Sequence, residues 1–249
     1  MSRQNLSRAD ELFAGRVSYN RAFNAKTGIP AFLPYLHKFG AIAVADADGL
    51  INDATSTELP NNETVTYTFP AANVSPTDEA LRSGILDTPR NVVAVVTHGS
   101  SVVAMTILVT GTDQYGETMS ELLTVPATGT TQTVNGAKAF KTITSVAIAS
   151  GTDAEANTLN LGTGDVIGLP FRSDATDWLR VYICTPPASA LQDGATVVRA
   201  VTSAATTTTG DVRGTFNPSG SIDGTNQFYV EMELSRNTSK ERSYGVAQA

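Results

Sequence analysis

From Asn62 onward the chain is built of short apolar runs that alternate with polar residues and end at turn formers, and this constrains its fold more than any other feature. In "ETVTYTF" the residues Val65, Tyr67 and Phe69 fall on one face and Thr64, Thr66 and Thr68 on the other, the pattern of a half-buried strand. The runs "NVVAVVTH", "SVVAMTILVT", "TMSELLTV", "NTLNLG", "DVIGLPF", "WLRVYIC", "ATVVRAVTS" and "DVRGTF" follow, each bounded by Gly, Asp, Asn or Pro. The last run alternates well, with Phe228, Val230, Met232 and Leu234 opposite Gln227, Tyr229, Glu231 and Glu233. Strands at this spacing with no helices between them imply an antiparallel sandwich rather than a parallel α/β sheet. In "FKTITSVAI" the large residues Phe140, Ile143, Val146 and Ile148 break strict alternation, which predicts a β-bulge.

Composition agrees. The 34 Thr side chains are stiff at χ1 and suit a pleated surface, and 20 Gly and 11 Pro supply turns. A chain of 249 residues buries roughly three quarters of its unfolded surface, ample for a core. The expected fold is all-β: an antiparallel β-sandwich, Ig-like or jelly-roll-like, with an extended, partly irregular N-terminal arm. The expected divisions are an arm over 1–60, a sandwich over 61–170, and a second β region over 171–249 that either completes the sandwich or forms a small separate domain.

The first sixty residues lack sustained periodicity. "SRADELFAGRVSYNRAF" suits a short helix capped by Ser7 or Asp10, weakened by Gly15. "TGIPAFLPYLHKFG" is broken by prolines and favours an extended path. Farther on, "SPTDEALRSG" has a helical start, with Ser75 as cap, Pro76 next, and Asp78 and Glu79 near the positive end. The net charge of −7 is unevenly placed: residues 1–40 hold six basic side chains against Asp10 and Glu11. A basic, aromatic, proline-broken segment is expected to pack on another surface, its own body or a neighbour. The expected contact residues are Arg16, Arg21, Phe23, Lys26, Phe32, Tyr35 and Phe39. The acidic remainder argues against nucleic acid as a partner. No stretch approaches the roughly 20 apolar residues of a membrane helix. With no signal-peptide pattern at the N-terminus, synthesis in a reducing cytoplasm is expected. The single cysteine, Cys184, allows no internal disulfide.

Residues for chemistry are sparse. Two histidines, His37 and His98, and one cysteine do not make a zinc set, and no metal or cofactor is expected. "DADGLIND" (46–53) lacks a calcium loop's sixth-position Gly and closing Glu, and is expected to be a polar turn. "THGSS" places Ser100 and Ser101 beside His98 without triad spacing. "GTGD" (162–165) neither opens a helix nor precedes a Lys, and is expected to be a turn. In "GTDQYGE", Asp113 and Glu117 are a formal acid pair, but a solvated hairpin tip offers no cleft and no reason for a raised pKa. There Gly111 and Gly116 are expected to allow positive φ, and Asp113 to accept bonds from the amides that follow it. The expectation is therefore a non-enzyme.

The series "VTGTDQYGETMSE", "KAFKTITSV", "LNLGTGDVIGLPF" and "TTTTGDVRGTFNPSGSIDG", in this order over roughly residues 90–230, resembles tailed-bacteriophage head decoration, or cement, proteins. The resemblance implies a β-rich virion protein, often trimeric, bound to the capsid exterior with the major capsid protein as partner, and no catalytic residues. Three alternatives stand beside it. One is a tail, collar or baseplate component of the same virion. Another is an Ig-like module for host glycans, with Tyr115 as the candidate aromatic. The last is a polysaccharide depolymerase, which needs paired carboxylates in a groove.

Overall fold

The computed structural model describes residues 34–54, 64–70, 83–99, 103–150, 157–173, 179–184, 191–192, 195–201, 205–218 and 222–233. The helical segments expected near 7–23 and 75–84, the contact residues Arg16, Arg21, Phe23, Lys26 and Phe32, and Ser100 and Ser101 lie outside them, apart from Ser83 and Gly84. Every regular element among the described residues is a strand. They are β1 (Pro34–Ala41), β2 (Ile51–Ala54), β3 (Thr64–Thr68), β4 (Ile85–Thr97), β5 (Met105–Thr112), β6 (Thr118–Val125), β7 (Thr131–Asn135), β8 (Phe140–Ser150), β9 (Thr158–Gly168), β10 (Leu179–Cys184), β11 (Leu191–Gln192), β12 (Thr196–Arg199), β13 (Gly214–Asn217) and β14 (Gln227–Glu233).

All pairings among the described residues are antiparallel. One leaf of the sandwich is β3–β8–β5–β6 and the other is β7–β4–β9–β2. Strand β4 bridges them. Its first half pairs with β8, Ile85 opposite Thr142, while its second half pairs with β9, from Val92 opposite Thr163 to Thr97 opposite Thr158. The inward faces form one core that includes Val92, Ala94 and Val96 of β4, Ile107 and Val109 of β5, Val146 and Ile148 of β8, and Leu159 and Leu161 of β9. Burying such side chains contributes roughly 25 cal/mol per Å² of apolar surface, the main force closing the leaves.

The bulge read in "FKTITSVAI" is present. Thr110 pairs with Ser145 and Gly111 with Ile143, leaving Thr144 without an opposite residue on β5. The extra residue lets both Ile143 and Val146 face the core, three positions apart. Thr144 is not wasted: its carbonyl accepts from Phe69 N (2.9 Å), and its Oγ1 donates to the Thr110 carbonyl (3.1 Å).

The expected turn at "GTGD" is not found. Strand β9 runs through it from Thr158 to Gly168. The glycines serve close approach instead. A Cβ on Gly162 would stand 1.9 Å from the Asp46 carbonyl, and one on Gly164 would stand 2.5 Å from Asn91 Oδ1. Between Val92–Thr163 and Arg90–Ile167 the register slips, and the buried Asn91 fills the irregularity. Its Oδ1 accepts from Val166 N (3.0 Å) and its Nδ2 donates to the Gly136 carbonyl (3.0 Å).

The region after residue 170 is shared between two sheets. Strands β13 and β12 extend the large sheet beyond β9. Strands β10, β11 and β14 form a second sheet in the order β1–β14–β10–β11. Its first strand, β1, comes from the segment expected as an arm, because Tyr35 and Phe39 are apolar enough to belong in a core. They pack edge-on to Phe171 (centroids 4.8 Å apart) and against Phe216 (5.3 Å), beside Phe228, Val230 and Met232.

His37 lies between these aromatics on β1, 4.5 Å from Phe39, and burial holds its pKa below the ordinary 6.5. The unfolded chain therefore takes up this proton first as pH falls. The contribution is complete above about pH 6.5 and is lost as pH drops toward the depressed folded value. His37→Gln is expected to remove that part of the acid slope in urea midpoints measured from neutral to mildly acidic pH. Parallel curves for the two proteins would count against it.

Candidate functional site

The β5–β6 hairpin carries the "GTDQYGE" loop, and the structure packs it against the segments that follow β9 and precede β13. Gly116 has φ of +83°, as expected for the corner. Gly111 instead lies in β5, where a Cβ would meet the Thr142 carbonyl at 2.0 Å; close strand approach is its reason, not positive φ. Asp113 Oδ1 accepts from the amides of Tyr115 (2.7 Å) and Glu117 (3.0 Å), the bonds expected of an Asp at a turn.

The expectation of a solvated tip is corrected at this residue. Asp113 is buried, and its Oδ2 receives Arg213 Nη1 at 2.6 Å in a pair buried on both sides. Gln114 Nε2 donates to the carbonyls of Leu169 (3.3 Å) and Pro170 (3.0 Å). The Tyr115 hydroxyl also donates to Pro170, and its ring lies 5.3 Å from the Arg213 guanidinium carbon. Glu117 is exposed. The two acids of the loop are therefore separated: Asp113 faces inward on Arg213, while Glu117 faces water.

A second buried set adjoins the first. In β6, Met119, Glu121, Leu123 and Val125 share the inward face, so Glu121 enters the interior by strand periodicity alone. Its Oε1 accepts from Ala137 N (2.6 Å), and both its oxygens accept from Lys138 N (3.3 Å each). Lys138 is fully buried in the β7–β8 connection. Asp211, just before β13, accepts from Ala139 N (3.2 Å) and Arg213 N (2.8 Å). Burial pushes the Glu121 carboxyl up, against the pull of its amide donors and of Lys138. Burial also pushes the Lys138 ammonium down, against the charges of Glu121 and Asp211.

The sequence reading passed over Lys138, Glu121, Asp211 and Arg213. A signal existed for one of them: a Glu at an inward position of an alternating strand needs donors.

A third cation, Arg90, sits where β4 meets β9 and the segment after β1. Its Nε donates to the Gly164 carbonyl (2.9 Å) and its Nη1 to the Ala43 carbonyl (3.0 Å), and Asp87 and Asp165 lie beside it at 3.4 and 3.8 Å. Near it, His37, Lys38, Phe39, Ile42, Asp87 and Gln114 line part of an open groove of about 230 Å³.

The turn at Asp46 and Asp48 is polar, as expected. Asp48 N donates to Asp46 Oδ1 (3.3 Å), and the Asp46 backbone pairs with Thr163. Among the described residues no group of three or more His, Cys, Asp or Glu is placed to hold a metal. His98 is buried at the end of β4, its backbone N donating to the Thr130 carbonyl (2.7 Å). Among the expected contact residues, Tyr35 and Phe39 are drawn together on the inner face of β1, while Leu36 on its outer face is 61% exposed.

Comparison with protein-family models, with curated proteins and with solved structures gives no match. Functional inference therefore rests on the residues themselves. The buried ionic groups described here bind one strand connection to another. They rigidify the junction between the large sheet and the loops that meet β9 and β13.

Proposed function

We propose that this chain is a structural virion protein that binds the outer surface of a phage capsid and stabilises the shell. In this reading it acts as a homo-oligomer, a trimer, with the major capsid protein as its partner. It makes and breaks no substrate bond. The ordered series of motifs between residues 90 and 230 supports this reading, and the character of β1 fits it. Among the described residues β1 is the outermost strand of its sheet, with β14 as its partner. It directly follows a segment carrying Arg3, Arg8, Arg16, Arg21 and Lys26, with Phe23 and Phe32. The observation that carries the reading is this continuity: a basic, aromatic segment leads straight into the edge strand of the β body. Such a segment adds apolar area and charge contacts across a subunit boundary, at roughly 25 cal/mol per Å² before association costs. Repetition over a symmetric shell multiplies a modest contact.

The truncation that tests this ends at residue 33. A cut through residue 41 would also remove β1 and leave Phe171 and Phe216 without Tyr35 and Phe39. The protein lacking residues 1–33 is expected to keep its circular dichroism spectrum and to lose occupancy on purified shells by tenfold or more, the equivalent of about 1.4 kcal/mol. Unchanged occupancy would overturn the role given to the segment. The copy number per virion then separates head from tail: a number matching the capsid lattice supports the proposal, and one set by a tail ring replaces it.

A further inference from the structure

We propose that Lys138 and Asp211 become joined by an intramolecular amide bond between Lys138 Nζ and Asp211 Cγ, with Glu121 relaying the proton.

The three side chains come from three separate places in the chain and meet in the interior. Their exposures are 0% for Lys138, 3% for Asp211 and 5% for Glu121. Both carboxylates are aimed by backbone donors at the segment that carries the lysine. Glu121 is held by the amides of Ala137 and Lys138, and Asp211 by the amide of Ala139 on the other side. The charges of both acids act on the lysine. A buried lysine between two buried acids has two outcomes: an ion pair that persists, or condensation. Burial favours the second, because it disfavours the Lys138 ammonium and the Glu121 carboxylate alike and so promotes a neutral amine and a protonated Glu121 beside the Asp211 carboxyl group.

The step balances without any co-reactant. The neutral Nζ attacks Asp211 Cγ, forming the C–N bond. The developing negative charge on Oδ1 is met by the Arg213 amide, which already donates to that oxygen at 2.8 Å. Oδ2 departs as water, taking the proton that Nζ releases and the one that the Glu121 carboxyl carries, so that Glu121 ends as the carboxylate. The amine, the Asp211 carboxylate and the Glu121 proton become an amide and one water, with no change in oxidation state. Glu121 is the relay because burial pushes its carboxyl toward the protonated form. The bond would fasten the β7–β8 connection to the segment before β13, across the seam already held by Arg213 and Asp113. A shell protein under outward load gains from a link that cannot be pulled apart, but the inference stands on the cluster alone.

The full-length protein, purified and denatured, is expected to have an intact mass one water below that of its sequence. Proteolysis is expected to yield a branched pair of peptides joining Lys138 to Asp211, with no tryptic cleavage after Lys138. Lys138→Arg and Glu121→Gln are each expected to restore the full mass. A wild-type protein at full sequence mass, cleaved normally after Lys138, would overturn the proposal whether or not either variant folds. So would a water loss confined to one unbranched peptide, or a branch to Glu121 instead.

Discussion

Asp113→Ala is expected to lower the unfolding free energy by about 3–5 kcal/mol, the cost of leaving a buried cation without its partner. The reasoning begins with burial. Asp113 and Arg213 are both nearly inaccessible, and their contact at 2.6 Å is short enough for a charge-assisted hydrogen bond. Removing the carboxylate leaves the guanidinium desolvated. It also releases the amides of Tyr115 and Glu117, which Asp113 Oδ1 holds. Arg213→Met should cost less than Asp113→Ala, because the loop amides keep their acceptor. The double variant should cost clearly less than the two single effects added, since the second change removes the charge stranded by the first. Urea unfolding of the four proteins measures this directly. Strict additivity would mean that the pair is not coupled and that the hairpin is held by Gln114 and Tyr115 instead.

Gly162→Ala is expected to destabilise by about 3 kcal/mol, toward the upper end for overpacking, because the added methyl meets backbone on the facing segment. Its Cβ would lie 1.9 Å from the Asp46 carbonyl oxygen, 2.5 Å from Ala47 C and 2.7 Å from Asp48 N. None of these can swing aside as a flexible side chain would. Relief requires the segment at 46–48 to back away from β9, which breaks the Thr163 N bond to the Asp46 carbonyl (2.6 Å). Hydrogen exchange should therefore report faster exchange at Thr163 in the variant, beyond the loss of global stability. Gly116→Ala is the control. That glycine has φ of +83° and open space around its Cβ position, so it should cost only about 1 kcal/mol of backbone strain. Equal effects at the two sites would refute the assignment of Gly162 to close packing.

These two sites show why parts of the structure were legible in the sequence and others were not. The bulge in β8 could be read because Phe140, Ile143, Val146 and Ile148 must all be buried, and a regular strand cannot put residues 143 and 146 on one face. The backbone role of Asp113 could be read because the amides that donate to it lie within the same turn. The partner of its other oxygen could not, since Arg213 stands a hundred positions away and becomes a neighbour only when β13 pairs with β9. "GTGD" misled for a related reason. Glycine marks a turn when its backbone demands positive φ, but it also marks a place where another chain segment crosses, and the crossing at Asp46 is non-local. The pairing of β1 with β14 follows the same principle. Tyr35 and Phe39 pack on Phe171 and Phe216, which the third region of the chain supplies.

By itself the sequence determined the class of the fold: period-two alternation, β-branched composition and closely spaced turn formers leave an antiparallel β-sandwich as the economical way to bury these side chains. Only the tertiary structure decided which strands share a sheet and where β1 docks. It alone assembled Glu121, Lys138, Asp211, Arg213 and Asp113 into one buried neighbourhood. The physical reason is range. Alternation and turn chemistry act over a few residues, whereas the pairing of a buried charge is settled by whichever distant segment the closing sheets bring against it.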